Sequence, residues 1–209
     1  REGVPTLGCN EWFPAEPNSN DIITVLKPDG GKRVFEPSGT NNVWYDNDFG
    51  DAAKIVYSNN KFTFYEINGV VEVYDANGKI LNRTNSRGDK HTYSYSNGNL
   101  NSVTASTGES LTLTYTSGRV QSITDGEGNI YRYEYTNGKL SKQTMPDNSY
   151  KEFFYTDTTW TDALTQIKVN GQVYATFTYD PTTGKATSSA HGTSANLEKY
   201  TFAYQTNQT

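Results

Sequence analysis

The 209-residue sequence predicts an all-β protein, a ribbon of antiparallel β-hairpins with a ~20-residue repeat laid out as a curved or spiralling sheet. Three observations predict it. The composition holds 28 threonines, 21 asparagines, 18 glycines and 16 tyrosines, the residues of strands and tight turns. A common period aligns Tyr95, Tyr115, Tyr135 and Tyr155, then Gly98, Gly118 and Gly138, then Leu100, Val120 and Leu140. Between these marks apolar and polar residues alternate singly, and the apolar stripe of a helix is missing from the whole chain.

Residues 1–20 carry Pro5, Pro14 and Pro17 and few strand signals, and read as a cap or linker ahead of the first hairpin. Residues 21–73 read as irregular hairpins, with strand patterns at Phe62-Thr63-Phe64-Tyr65-Glu66 and Val71-Glu72-Val73-Tyr74-Asp75. Regular repeats occupy 74–157. Their first line carries Tyr74, Gly78, Ile80 and Gly88, one residue out of step with the lines that follow. Each later line is a hairpin: Thr92–Ser96, Leu111–Thr116 and Ile130–Thr136 are outgoing strands, and Asn97-Gly98, Ser117-Gly118 and Asn137-Gly138 are two-residue turns. Gly108 and Gly128 mark a second turn half a period later. Leu100 with Val103, and Val120 with Ile123, are three apart where a flat strand needs two, which predicts a bulge in each return strand. Residues 158–209 are degenerate repeats, with Tyr179 and Tyr204 at looser spacing.

One face of the outgoing strands is Tyr93 and Tyr95, then Leu111, Leu113 and Tyr115, then Tyr131, Tyr133 and Tyr135. The other is Thr and Ser, continued by Arg132 and Glu134. Only 33% of residues are apolar even with tyrosine counted, so tyrosine is expected to supply much of the burial in a broad sheet with a thin core. A chain this rich in aromatics, with a net charge of only −5, is not built like a disordered one.

Several classes of function fall away. No apolar run is long enough to predict a spanning helix, so membrane insertion is not expected. A pI near 5.1 and scattered Lys and Arg give no basic stripe for nucleic acid. The one cysteine, Cys9, cannot form an internal disulfide, and His91 and His191 have no second ligand at metal spacing. No nucleophile elbow or phosphate-cradling glycine motif occurs, and no cofactor or metal is expected. Asp46, Asp48 and Asp51 form the densest carboxylate cluster, readable as a metal or sugar site or a small glycosidase, but more simply as a polar loop. Asp125-Gly126-Glu127-Gly128-Asn129 is an oxygen-rich loop that a turn explains fully. Trp12, Trp44 and Trp160 are candidates to stack on sugar rings, though core or sheet-face packing is the simpler role for most of them, and Trp44 and Tyr133 are taken as the speculative glycan contacts. The sequence starts at Arg1 without a basic-then-apolar leader, so a processed protein or a piece of a longer one is expected.

The lines share a form seen in Tyr74-Asp75-Ala76-Asn77-Gly78-Lys79-Ile80, Tyr95-Ser96-Asn97-Gly98-Asn99-Leu100, Ile123-Thr124-Asp125 with Gly128-Asn129, and Tyr179-Asp180-Pro181-Thr182-Thr183-Gly184. This form resembles the YD repeat of the Rhs family, and Asp21–Leu26 with Pro28-Asp29-Gly30 resembles the start of an Rhs core. The likeness runs over about residues 21–204 and rests on Tyr74, Gly78, Tyr95, Gly98, Tyr115, Gly118, Tyr135, Gly138, Tyr155 and Tyr179. It implies a hairpin ribbon that spirals into a hollow shell. Such shells, in bacterial Rhs toxins, toxin-complex C components, wall-associated proteins and teneurins, enclose or present a C-terminal domain, in bacteria often a toxin. The family's repeats are also described as carbohydrate-binding.

The chain departs from that pattern in being too short to close a shell, in lacking a toxin domain after Tyr204, and in lacking paired Asp-Pro motifs for self-cleavage. Its single Asp-Pro, Asp180-Pro181, lies inside an ordinary turn. The expected function is a non-catalytic shell or scaffold segment, secreted or at the bacterial surface. Its partners would be a C-terminal toxin or effector domain or the remaining YD repeats, and glycans under the alternative reading of a carbohydrate-binding surface module.

Overall fold

A computed structural model describes residues 6–7, 17, 20–26, 30–192 and 198–204. Pro5, Cys9, Trp12, Pro14, Pro28 and Asp29 lie outside the described residues, and so does most of the proposed 1–20 cap. The described chain is strand and turn, without a helix. The strands are β1 (Thr6–Leu7), β2 (Ile23–Leu26), β3 (Lys32–Pro37), β4 (Val43–Asp46), β5 (Gly50–Ser58), β6 (Lys61–Tyr65) and β7 (Val71–Asp75). Next come β8 (Ile80–Thr84), β9 (Lys90–Ser96), β10 (Asn99–Ala105), β11 (Ser110–Thr116), β12 (Arg119–Asp125), β13 (Ile130–Thr136) and β14 (Lys139–Thr144). The last are β15 (Tyr150–Phe154), β16 (Gln166–Val169), β17 (Gln172–Tyr179), β18 (Ala186–His191) and β19 (Glu198–Thr201). Strands consecutive in sequence pair antiparallel, while β1 lies parallel to β2. Two compact units divide the chain, Arg1–Thr112 and Leu113–Thr209.

The two-residue turns form because both central residues take positive φ, the backbone that Asn and Gly accept most readily. Asn97 and Gly98 stand at 50° and 81°, Ser117 and Gly118 at 51° and 75°, Asn137 and Gly138 at 51° and 80°. Tyr74–Lys79 turns differently. Asp75 N and Gly78 N close a longer loop onto Lys79 O and Asp75 O, so Tyr74 stands four residues from its glycine where Tyr95 stands three from Gly98. That extra residue is the one-residue slip in the first line.

The predicted bulge is present in β10, where Tyr95 faces Leu100 and Ser94 faces Ser102, leaving Asn101 without an opposite residue. Leu81 in β8 and Ser141 in β14 are extra in the same way. The bulge puts Leu100 and Val103 on the face of Tyr95 and Tyr93.

Packing in the first unit departs from the expected thin, tyrosine-built core. Ile23, Val25, Phe35, Trp44, Ala53, Ile55, Tyr57, Phe62, Phe64 and Tyr74 form a true core, drawn, apart from Tyr74, from the irregular strands before the regular repeats. Tyr57 and Tyr74 are the buried tyrosines among the described residues; the other tyrosines of the regular lines are half-buried or exposed. Phe35 on β3 and Phe64 on β6 meet edge to face at 5.3 Å. Three strand spacings would hold them about 14 Å apart in a flat sheet. The sheet of this unit therefore curls over its own apolar face, which is how a single sheet dehydrates Trp44 and Phe35 completely.

Candidate functional site

Two contacts recur around the repeat tyrosines. Tyr95 OH donates to Ile80 O at 2.9 Å and Tyr179 OH to Leu164 O at 2.7 Å, each reaching back fifteen residues into the preceding hairpin. A cation just after a turn glycine lies over the tyrosine ring of the next hairpin: Lys79 Nζ is 5.2 Å from the Tyr95 centroid, Arg119 5.8 Å from Tyr135 and Lys139 5.4 Å from Tyr155. Lys79 Nζ also donates to Gly98 O at 2.8 Å, capping that hairpin's turn. Lys139 Nζ binds Thr161 O and lies 3.0 Å from Asp162 Oδ1. Cation and tyrosine together staple one hairpin to the next. Lys139→Met should therefore lower stability by about 1 kcal/mol, measured by thermal melting, with Lys139→Arg nearly neutral.

Several turns are closed by a carboxylate or amide oxygen that accepts backbone N–H groups. Asp75 Oδ1 takes Asn77 N and Lys79 N, both at 2.9 Å, and Asn85 Oδ1 takes Arg87 N and Asp89 N. Asp125 Oδ1 takes Glu127 N and Asn129 N at 3.0 and 2.9 Å, and its Oδ2 takes the Asn129 amide. The oxygen-rich loop at 125–129 is thus a turn whose acceptors point at its own chain. Hydrogen bonds from Asn129, Ser149 and Thr183 hold the Asp125, Asp147 and Asp180 carboxyls below the usual range.

The acidic cluster is taken apart by the fold. Asp46 is buried, its Oδ2 accepting Arg33 Nε at 2.8 Å with Nη2 at 2.7 Å, and its Oδ1 accepting Asp48 N and Phe49 N. Asp48 and Asp51 stay exposed. Asp46 is the corner of a turn and the partner of an arginine, which fits the polar-loop reading of Asp46, Asp48 and Asp51 and not the site reading.

Trp44 is corrected too. It is fully buried, with Nε1 donating to Asp21 O at 2.8 Å, so its ring cannot stack on a glycan. Tyr133 is half-buried on the face that its strand shares with Tyr131 and Tyr135. Trp160 is partly exposed, its Nε1 donating to Asp180 O at 3.0 Å. His191 packs edge to face on Tyr174 at 5.3 Å, and His91 is exposed at the start of β9. Among the described residues no three His, Cys, Asp or Glu side chains come together as metal ligands.

Sequence reasoning missed the Tyr74 network. Tyr74 OH donates to Glu72 Oε2 at 2.6 Å, and Arg83 Nε donates to Glu72 Oε1 at 3.2 Å. Burial and the adjacent Glu72 push the Tyr74 hydroxyl far above the ordinary tyrosine range, so it stays a donor. Two open clefts lie in the second unit. One of about 420 Å³ sits among Phe154, Asp157, Gln166, Phe177 and Tyr179, and another of about 560 Å³ among Glu134, Lys139, Lys142, Glu152 and Tyr155.

No family model matches the sequence, and neither does any curated protein. Among solved structures the chain is similar to one titled TcdB2-TccC3-Cdc42, with a TM-score of 0.45 and 15% identity over 82% of this chain. It is also similar to a porin-like protein from Bacteroides uniformis, with a TM-score of 0.29 and 15% identity over 72% of this chain and 90% of that one. A third, titled TcdB2-TccC3-TEV, gives 0.23 and 13% identity over 81% of this chain. The chain spans 12% of the length of the TcdB2-TccC3-Cdc42 chain and 18% of the TcdB2-TccC3-TEV chain.

Proposed function

We propose that the chain is a non-catalytic scaffold segment of a secreted or surface-delivered bacterial protein of the Rhs type, whose repeats enclose or present a C-terminal toxin or effector domain. The observation that carries this reading is the coincidence of sequence and structural period. The YD motif, the positive-φ turn, the bulge and the cation–tyrosine staple all recur on the same twenty-residue cell. Its polar groups are spent on this architecture. Asp75 and Asp125 close turns, the Tyr95 and Tyr179 hydroxyls reach backbone carbonyls, and Asp46 holds Arg33.

The test uses the gene product that carries these residues together with whatever follows them in frame. Limited proteolysis should leave residues 21–204 intact and the downstream domain shielded, with cutting of that domain only once the repeats unfold. A downstream domain digested as fast as when expressed alone overturns the reading. Glycan-array binding that Tyr133→Ala abolishes would favour a carbohydrate-binding surface module instead.

A further inference from the structure

We propose that Asn97 and Asn137 are sites of covalent modification, each losing its side-chain ammonia to attack by the following glycine's backbone nitrogen and ending as aspartate or isoaspartate in a hairpin turn. Asparagine followed by glycine occurs five times, at Asn68, Asn77, Asn97, Asn137 and Asn170. Glycine carries no side chain to crowd the attacking nitrogen, so the five are alike in sequence. The fold makes them unlike.

Three are restrained. Gly69 N donates to Glu66 O at 3.0 Å and Gly78 N to Asp75 O at 3.1 Å, so the nitrogen that must attack is tied into its own turn. Asn68 Oδ1 is itself taken by Val70 N at 3.0 Å. Asn170 and Gly171 stand at φ 48° and 78°, the same turn as Asn97-Gly98, but Asn170 Oδ1 accepts Tyr150 N at 2.8 Å, which fixes its side-chain amide.

Asn97-Gly98 and Asn137-Gly138 are exposed. Neither their side-chain amides nor the Gly98 and Gly138 N–H groups have a hydrogen-bond partner among the described residues. With φ positive at both central residues, these are type I′ turns. Turning over the middle peptide plane gives the type II′ turn, which closes the same two strands. Asparagine then keeps its φ near the observed 50° while its ψ moves to about −120°, and glycine passes to a φ of about −80°. At that ψ the glycine nitrogen eclipses the asparagine Cβ, as a five-membered ring through Cγ requires. The attacking geometry is reached without unpairing a strand.

Gly98 N gives its proton to hydroxide and bonds to Asn97 Cγ. The Cγ–Nδ2 bond breaks, and Nδ2 leaves as ammonia with a proton from water. Water then opens the succinimide at one carbonyl or the other, giving aspartate or, with the chain rerouted through Cγ, isoaspartate. Asn137 and Gly138 follow the same course. In both turns the new carboxylate arises beside a cation of the preceding hairpin: Lys79 Nζ donates to Gly98 O at 2.8 Å, and Arg119 Nη2 lies 3.1 Å from where a Cβ on Gly138 would stand. A neighbouring positive charge favours the charged product.

The test holds the full chain at mildly alkaline pH, folded or in urea, and follows each site by peptide mapping with mass spectrometry and by enzymatic labelling of isoaspartate. Each rate in the folded chain is divided by the same site's rate in urea, which removes the effect of flanking sequence. On that scale Asn97 and Asn137 should convert at least about threefold faster than Asn68, Asn77 and Asn170, the factor that one retained hydrogen bond supplies. Equal retardation at all five sites overturns the proposal. So does a folded chain in which Asn97 and Asn137 stay intact for as long as Asn68, Asn77 and Asn170 do.

Discussion

Trp44→Ala is expected to destabilise the first unit by about 3–5 kcal/mol, seen as a lower urea midpoint by far-ultraviolet circular dichroism. The indole is fully buried at the centre of a core with Ile23, Phe35, Ile55 and Phe64, and its removal leaves a cavity lined by rings and branched chains that have little room to collapse. The loss is compounded because Nε1–H is the donor to Asp21 O at 2.8 Å, just before β2. Trp44→Phe separates the two effects. It keeps most of the volume and should cost about 1–3 kcal/mol, the range for an unmet buried polar group. A midpoint unchanged by Trp44→Ala would mean the indole is not the keystone that its burial indicates. A loss of this size is a large share of the stability of an ordinary domain.

The local chemistry of the fold could be read from the chain alone, because each device is short-range. Asn97-Gly98 and Asn137-Gly138 name their turn through the positive φ that both residues must take, and the three-residue step from Leu100 to Val103 announces the bulge at Asn101. The staple was present in the sequence as well. Lys79 precedes Tyr95 by the same sixteen residues that separate Arg119 from Tyr135 and Lys139 from Tyr155, a spacing visible once turns and tyrosines are aligned. The inside of the first unit could not be read this way. In Val43-Trp44-Tyr45-Asp46 alternation separates two faces without saying which is wet. The answer depends on the curl that brings β3 to β6, a long-range event with no periodic signature. Trp44 therefore reads as a glycan-contact candidate from the sequence, and the curl buries it. Asp46 was grouped with its acidic neighbours because its partner, Arg33, is thirteen residues away on another strand.

That arginine makes Asp46→Ala the second large expected loss, about 3–5 kcal/mol by urea denaturation followed through tryptophan fluorescence. The guanidinium is mostly buried, lying 4.9 Å from the Phe49 ring centroid, 5.7 Å from Phe35 and 5.8 Å from Phe64. Aromatic faces favour a cation but do not replace the carboxylate that neutralises it. Without Asp46 the charge is stranded against the core, and Asp48 N and Phe49 N lose their acceptor as well. Asp46→Asn should fall between, because its amide oxygen still closes the turn while the charge is gone. The decisive variant removes both partners. Arg33→Met with Asp46→Leu should recover most of the loss, since an apolar pair in that position has no desolvated charge to compensate. If the double substitution is as damaging as Asp46→Ala alone, the cost lies in the turn acceptor and not in the buried charge. If Asp46→Ala costs less than about 1 kcal/mol, water reaches Arg33 and the closed face of this unit is more open than the packing of Phe35, Phe49 and Phe64 implies.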